Sequence, residues 1–405
     1  MKSYDVLIVG GGMVGASLVQ ALAGQGLRIA VIESVPSEAR TEPGYDDRAL
    51  ALAHGTRKIF RALGLWDALA GEATPIHRIH VSDRGHCGFT RMDRSEEGLD
   101  ALGFVVPARV ITRVLGAVIQ QPDAVDLFCP AVLSALDIDA AGAMARVSID
   151  SVEQEISARL VVAADGAGSS IRDQLGIPVK TRDYGQVAVV TNITPQLAHN
   201  NIAYERFTET GPLALLPMSE QRCAVVWTVD EQDSDAVLAL SDAEFLARLQ
   251  DRFGYRLGRL ERVGRRQAWS LRLVEAQESV RPRLALVGNA AHTLHPIAGQ
   301  GFNLGMRDVA VLAEVIVDAV RAGRDPGELA VLSRYGNWRQ GDHRRVTAFT
   351  DGMARMFTLP LPAFGMLRSA GMVALDLLPP AKRLLTRLTM GRGGRVPRLA
   401  RGLPL

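Results

Sequence analysis

Two glycine clusters, far apart in the chain, hold the residue types whose spacing could do chemistry. The first is Gly10-Gly11-Gly12-Met13-Val14-Gly15, a Gly-x-Gly-x-x-Gly run near the N-terminus. Its glycines allow a tight turn at Gly10, approach of a pyrophosphate to the backbone at Gly12 and close helix–strand packing at Gly15. Glu33 follows at the end of the next apolar run, where a carboxylate can accept hydrogen bonds from ribose hydroxyls. The second cluster is Gly299-Gln300-Gly301, inside residues 284–307 and just ahead of a helical apolar pattern that starts near Asn303. Small residues before a helix N-terminus leave backbone N–H groups free to face an electron-rich ligand. Taken singly, each has a plainer explanation, a tight βα turn or an ordinary strand-loop-helix connection. Together they indicate a dinucleotide site, either NAD or FAD, and the extreme N-terminal position of the first favours FAD.

The elements that must position these clusters can be read from periodicity. Residues 4–9 and 27–32 read as buried parallel strands, with a helix over 16–25 between them. A helix is expected from Asp47 to about Leu63, with Arg48 in its first turn. Residues 145–149 and 155–160 alternate as a hairpin would, and 160–164 form a buried strand ending in Asp165-Gly166. Between 185 and 275 the texture becomes β-rich, with runs at 186–193, 202–207, 213–217 and 222–229, then a helix over 241–253 that Asp242 could cap. Residues 284–287 are a short strand, 303–321 one long helix with Asp308 near its first turn, and 329–357 a second. The fold class is α/β: a Rossmann-like cofactor domain, an inserted β-sheet domain and a helical C-terminal region. Its segments are 1–70, 101–180 and 276–330 for the cofactor domain, 71–100 and 181–275 for the sheet domain, and 331–405 for the rest.

Composition narrows the function classes. The chain has 405 residues, 47% of them apolar and 22% charged, which suits a globular protein with more than one core. A net charge of +2 without a basic-aromatic module argues against nucleic acid. Cys87, Cys129 and Cys223 make neither a zinc pattern nor a disulfide framework, so no metal is expected and a reducing cytoplasm fits. No uninterrupted apolar run is long enough to span a bilayer. The chain beyond residue 359 mixes Pro and Leu and then turns basic, with Arg392, Arg395, Arg398 and Arg401. Residues 361–388 offer apolar surface to a membrane or partner. Residues 391–405 are either a solvated terminus or a basic strip on an anionic, inner-membrane surface.

The motifs resemble those of the single-component FAD aromatic hydroxylases. The resemblance rests on Gly10–Gly15, on Asp165-Gly166 followed by Ser169 and Arg172, and on Gly288-Asn289-Ala290-Ala291-His292 with Pro296 and Gly299-Gln300-Gly301 after it. Glu205-Arg206-Phe207-Thr208 and the run from Gly211 to Ser219 match as well. Asn289, where most relatives have Asp, and Leu294-His295-Pro296-Ile297 are similar to the ubiquinone-biosynthesis subgroup, above all to 2-polyprenyl-6-methoxyphenol hydroxylases.

That resemblance implies non-covalent FAD held by Gly10, Gly12, Met13, Val14, Gly15, Glu33, Arg48, Asp165, Asn289, Gly299, Gly301, Phe302 and Asn303. Arg109 is a further candidate, beside Ala108, which stands where many relatives carry Asn or Gln. It implies hydroxylation of a polyprenylated phenol by O2 and NAD(P)H through a flavin C4a-hydroperoxide. Pro296 would shape the space facing the flavin, and backbone N–H groups around Gly299, Gln300 and Gly301 would stabilise its negative charge. Leu213, Leu215, Pro217 and Trp227 are expected to wall the substrate pocket, with His295 beside it. His292 and His295 are either packed histidines or aids to phenol deprotonation. Other ubiquinone-biosynthesis proteins would be natural partners. A flavin-dependent reductase of prenyl lipids and a non-catalytic FAD-binding subunit remain open; a halogenase does not fit, for lack of its Trp-x-Trp pattern.

Overall fold

The computed structural model describes residues 2–36, 45, 48–121, 125–295, 297–358, 362–391 and 393–405. Its architecture is α/β and is organised around the strand Lys2–Val9, which lies inside an eight-stranded sheet. On one side it pairs in parallel with Ile29–Ile32, which pairs in turn with Asp126–Phe128. On the other it pairs in parallel with Val152–Ala163, whose far edge takes Leu284–Leu286. Consecutive residues of the first strand are apolar because both faces are covered. Val6 and Ile8 enter a core shared with the helices Met13–Leu22, Ala108–Ile119 and Gln300–Arg321, while Leu7 and Val9 enter a second core on the opposite face. The hairpin and the buried strand expected around residue 160 are one continuous element. Its first half pairs with Ala143–Ile149 and its second half with the N-terminal strand.

A nine-stranded sheet forms the second layer. Arg78–Asp83 and Phe89–Asp93 join it beside Ile202–Thr208, so sequence-distant strands share one surface. The helix Asp242–Phe253 covers its outer face. Ser241, not Asp242, caps that helix, in a reciprocal capping box with Glu244.

Two expectations fail here for physical reasons. Ala49–Ala53 is a strand, not the start of a helix, and the helix runs His54–Ala62. The alternating Ala and Leu residues pair antiparallel with Gly103–Pro107, and that tertiary pairing overrides their helical propensity. The basic end of the chain is also folded in. Arg398–Arg401 is a short helix whose Leu399 and Ala400 enter the main core. Arg398 pairs with Asp318 at 2.5 Å, and Arg395 lies 3.6 Å from the Trp338 ring centroid. These arginines are therefore structural rather than a free basic strip. Among the described residues no helix is long and apolar enough to cross a membrane.

Candidate active site

The first glycine cluster forms the expected turn. Gly10 has φ +103°, and a Cβ there would lie 2.4 Å from the Ala164 carbonyl oxygen. A Cβ on Gly15 would lie 1.9 Å from the Gly10 oxygen, so that glycine permits the helix to sit on the strand. A Cβ on Gly12 would meet nothing within 4 Å among the described residues, which leaves the space a pyrophosphate needs. A cavity of about 220 Å³ opens beside it, lined by Gly11, Gly12, Met13, Glu33 and Thr112. Glu33 accepts hydrogen bonds from the backbone N–H groups of Gly11 and Val35, both at 2.8 Å, which holds its carboxylate at the cavity edge. One Asp165 oxygen accepts from Ser170 and from the Ile171 N–H at 3.3 Å; the other is buried without a hydrogen-bond partner among the described residues. Arg172 donates to the Ala167 and Ala290 carbonyls, tying the Asp165 loop to the Asn289 loop. The open glycine, the adjoining cavity and the orphaned carboxylate oxygen fit the adenine dinucleotide half of FAD.

A larger cavity of about 1020 Å³ continues from this cradle between the two sheets. Met13, Val14, Asn289, Gly299, Gln300, Gly301, Phe302 and Asn303 line it, as does Arg48, whose guanidinium lies 5.6 Å from the Trp269 ring centroid. Burial lowers the Arg48 pKa. Gly299, at φ +59°, precedes the 22-residue helix Gln300–Arg321, which starts three residues earlier than its apolar pattern suggests. The first N–H groups of such a helix have no intrahelical acceptor and suit the electron-rich edge of a flavin. Asn303 locks this terminus. Its side-chain oxygen accepts from the Ala53 N–H and the Thr56 hydroxyl, and its amide donates to the Ala51 and Gly299 carbonyls, all within 2.8 Å. Asn303 therefore acts mainly by holding the loop. Arg109 is turned to Glu72, with which it forms an ion pair, rather than to either cavity lining. Pro296 lies outside the described residues.

The substrate wall needs correction. Leu213, Leu215 and Trp227 pack on the opposite side of the sheet against Phe245, Leu249 and Phe253. Pro217 shares their parity on its strand and is absent from the cavity lining. The cavity is lined by the alternate residues Ala214, Leu216 and Val226, because successive side chains of a strand point to opposite faces. Glu205, from the Glu205-Arg206-Phe207-Thr208 run, lies on that inner face too; the resemblance marked the run but gave this side chain no place in the cavity.

His295 is 1% exposed, edge-on to Tyr184, with neither ring nitrogen bonded among the described residues; burial pushes its pKa down to about 4. It sits behind Leu294 and Ile297, which do line the cavity. His292 meets Asp308 at 2.7 Å and is a packed residue. Asp308 lies beyond the first turn of its helix and also binds the Gly288 N–H, His343 and Arg339. Burial alone would raise the Asp308 carboxyl, but Arg339, His343 and His292 hold it well below the ordinary carboxylate range. This buried network braces the Gly288–Ala290 turn against two helices, which is a different job from the helix-dipole role expected of Asp308.

Comparison with known proteins agrees with this geometry. Residues 3–350 match the family model described as FAD binding domain. The chain is 40% identical to the ubiquinone hydroxylase UbiL of Rhodospirillum rubrum, covering 100% of this chain and 94% of that one. It is 31% identical to the 3-demethoxyubiquinol 3-hydroxylase of Escherichia coli, over 96% of this chain and 98% of that one. Among solved structures, the p-nitrophenol 4-monooxygenase PnpA of Pseudomonas putida DLL-E4 has the same fold, with a TM-score of 0.80 at 21% identity, covering 98% of this chain and 100% of that one. With the glycine cradle, the Asp165 loop and the helix terminus at Gln300 bordering two adjoining cavities, the chain belongs to the FAD binding domain family and, within it, to the ubiquinone-biosynthesis FAD hydroxylases.

Proposed function

We propose that this FAD-dependent monooxygenase uses NAD(P)H and O2 to hydroxylate the ring of a polyprenylated phenol. The observation that carries this is the continuity of the 1020 Å³ cavity from the flavin-facing helix terminus to an apolar sheet face. A flavin ring and a phenol both fit such a volume, and apolar walls with few polar groups suit a prenylated ring. FAD, when bound, supplies the oxygen chemistry. The chain holds it through the glycine cradle, directs helix N–H groups towards it and keeps water away from the reacting ring. Narrowing the inner face should separate the two tasks. Ala214→Trp is expected to retain FAD while turnover of a prenylated phenol falls at least tenfold; unchanged turnover would remove the cavity from the account.

Access from a membrane surface, or from a partner protein of the same pathway, is part of this reading. The helices Pro362–Leu377 and Pro379–Thr389 expose Val373, Leu377, Leu378 and the connected Leu384, while Met372, Leu375 and Leu385 line the cavity from the same segment. An outer apolar surface backed by an inner cavity wall supports delivery of an insoluble substrate through this region. Liposome co-sedimentation of the Leu377→Asp/Leu384→Asp double variant tests it: binding and turnover of a long-chain substrate should both fall, with a short-chain analogue little affected. Equal liposome binding by both proteins would place delivery elsewhere.

A further inference from the structure

The sheet register sets one carboxylate in the middle of the substrate face. Val190, Val226, Ala214, Glu205, Val81 and Thr90 form a row across six neighbouring strands, and all six line the large cavity. Five of them are small, apolar or, like Thr90, already bonded, its hydroxyl donating to the Met372 carbonyl at 2.6 Å. Glu205 is enclosed by protein yet open to the cavity, and among the described residues its carboxylate has no hydrogen-bond or ion-pair partner. An acid in such a place destabilises the empty protein unless something fills its acceptor capacity.

We propose that the Glu205 carboxylate accepts the hydrogen bond of the substrate's phenolic hydroxyl and takes its proton as the ring is oxidised. This rests on the reading of the cavity as the phenol site. The phenolic O–H bond breaks, the proton passes to the carboxylate, and the electron pair left on oxygen enriches the ring that attacks the electrophilic oxygen. O2 supplies the oxygen atom that enters the ring, its other atom leaves as water with the two electrons of NAD(P)H, and the displaced ring hydrogen is lost as a proton. Burial pushes the Glu205 carboxyl up to about 7, which brings it nearer a phenol than an ordinary carboxylate is. Among the described residues no charged group offsets or adds to that rise. Its flanking residues are Val81 on one strand, Ala214 on the other, and Ala203 and Phe207 on its own, with Met372 packed over Phe207. Arg48, beside Trp269, is the other charged residue lining the cavity among those described.

The test compares binding of a short-chain prenylated phenol and its methyl ether to FAD-loaded protein, followed by the change in flavin absorbance. At pH 8.5 the wild type should prefer the phenol by about tenfold, as expected for a charge-assisted hydrogen bond, and the preference should shrink below pH 7 as the carboxylate is protonated. Glu205→Gln should keep FAD, show a smaller preference that no longer changes with pH, and lose the acid limb of the kcat profile; Glu205→Leu should bind both ligands alike. If Glu205→Gln keeps the preference, its pH dependence and the acid limb, the assignment of Glu205 is overturned. If the wild type binds neither ligand, the cavity is not the phenol site and both readings fall together. Retained FAD absorbance in the variants separates these outcomes from misfolding.

Discussion

At Gly12 an added Cβ would meet no atom of the described residues within 4 Å, whereas at Gly15 it would collide with the Gly10 carbonyl oxygen. The two glycines of one motif therefore predict different failures. Gly12→Val should fold with a melting temperature near that of the FAD-free wild type and yet bind no FAD, because its side chain fills the pyrophosphate space. Gly15→Val should fail to fold stably. Denaturation curves and flavin absorbance of the two variants distinguish these cases, and FAD retained by Gly12→Val would contradict the cradle. Asn289 is exposed to the cavity, so Asn289→Asp should keep the fold and FAD but lower the flavin midpoint potential by adding a negative charge near it. A potential that is unchanged or raised would move Asn289 away from the flavin. The sequence pattern made these glycines legible because their spacing encodes backbone geometry. It misplaced Leu213, Leu215 and Trp227 because strand alternation says that two faces exist but not which one meets the cofactor.

Helices and strands were legible wherever local pattern and tertiary environment agree, as in Lys2–Val9 and Gln300–Arg321. They were not where pairing decides. Nothing in residues 47–53 announces that Gly103–Pro107 will lie alongside, and nothing around Asp308 announces His343 and Arg339 from another helix. That brace has consequences for stability. Asp308→Asn removes one of the two carboxylates paired with the buried Arg339, Asp342 being the other, and should cost about 2–3 kcal/mol in denaturant unfolding. His295 adds a pH dependence of known sign. Its folded pKa of about 4 lies below the ordinary histidine value, so the unfolded chain binds the extra proton between the two. The neutral, buried ring contributes its full stability above about pH 6.5, and that contribution is lost as pH falls towards 4. Relative to wild type, His295→Phe should therefore lose roughly 2–3 kcal/mol less stability between pH 7 and 4. Parallel acid denaturation profiles would mean that the ring is not buried neutral.

At the scale of the molecule, the C-terminal helices pack against elements of both the eight-stranded and the nine-stranded sheet. Leu399 and Ala400 fill the core beneath the cofactor helices, and Arg398 is held by Asp318. Deleting residues 391–405 should lower stability by roughly 3 kcal/mol or more and reduce FAD retention, instead of acting on lipid binding alone. The segment before it, by contrast, combines exposed apolar side chains with cavity-lining ones, which is the arrangement expected of a route for a prenylated ring. All these parts converge on one claim, that the chain directs an oxygen atom from O2 into a phenol ring. The most direct measurement is product mass after turnover of a prenylated phenol with NAD(P)H under 18O2. One 18O atom is expected on the ring of each product, with NAD(P)H consumed in step. A product without 18O, or one reduced in its prenyl chain, would contradict it.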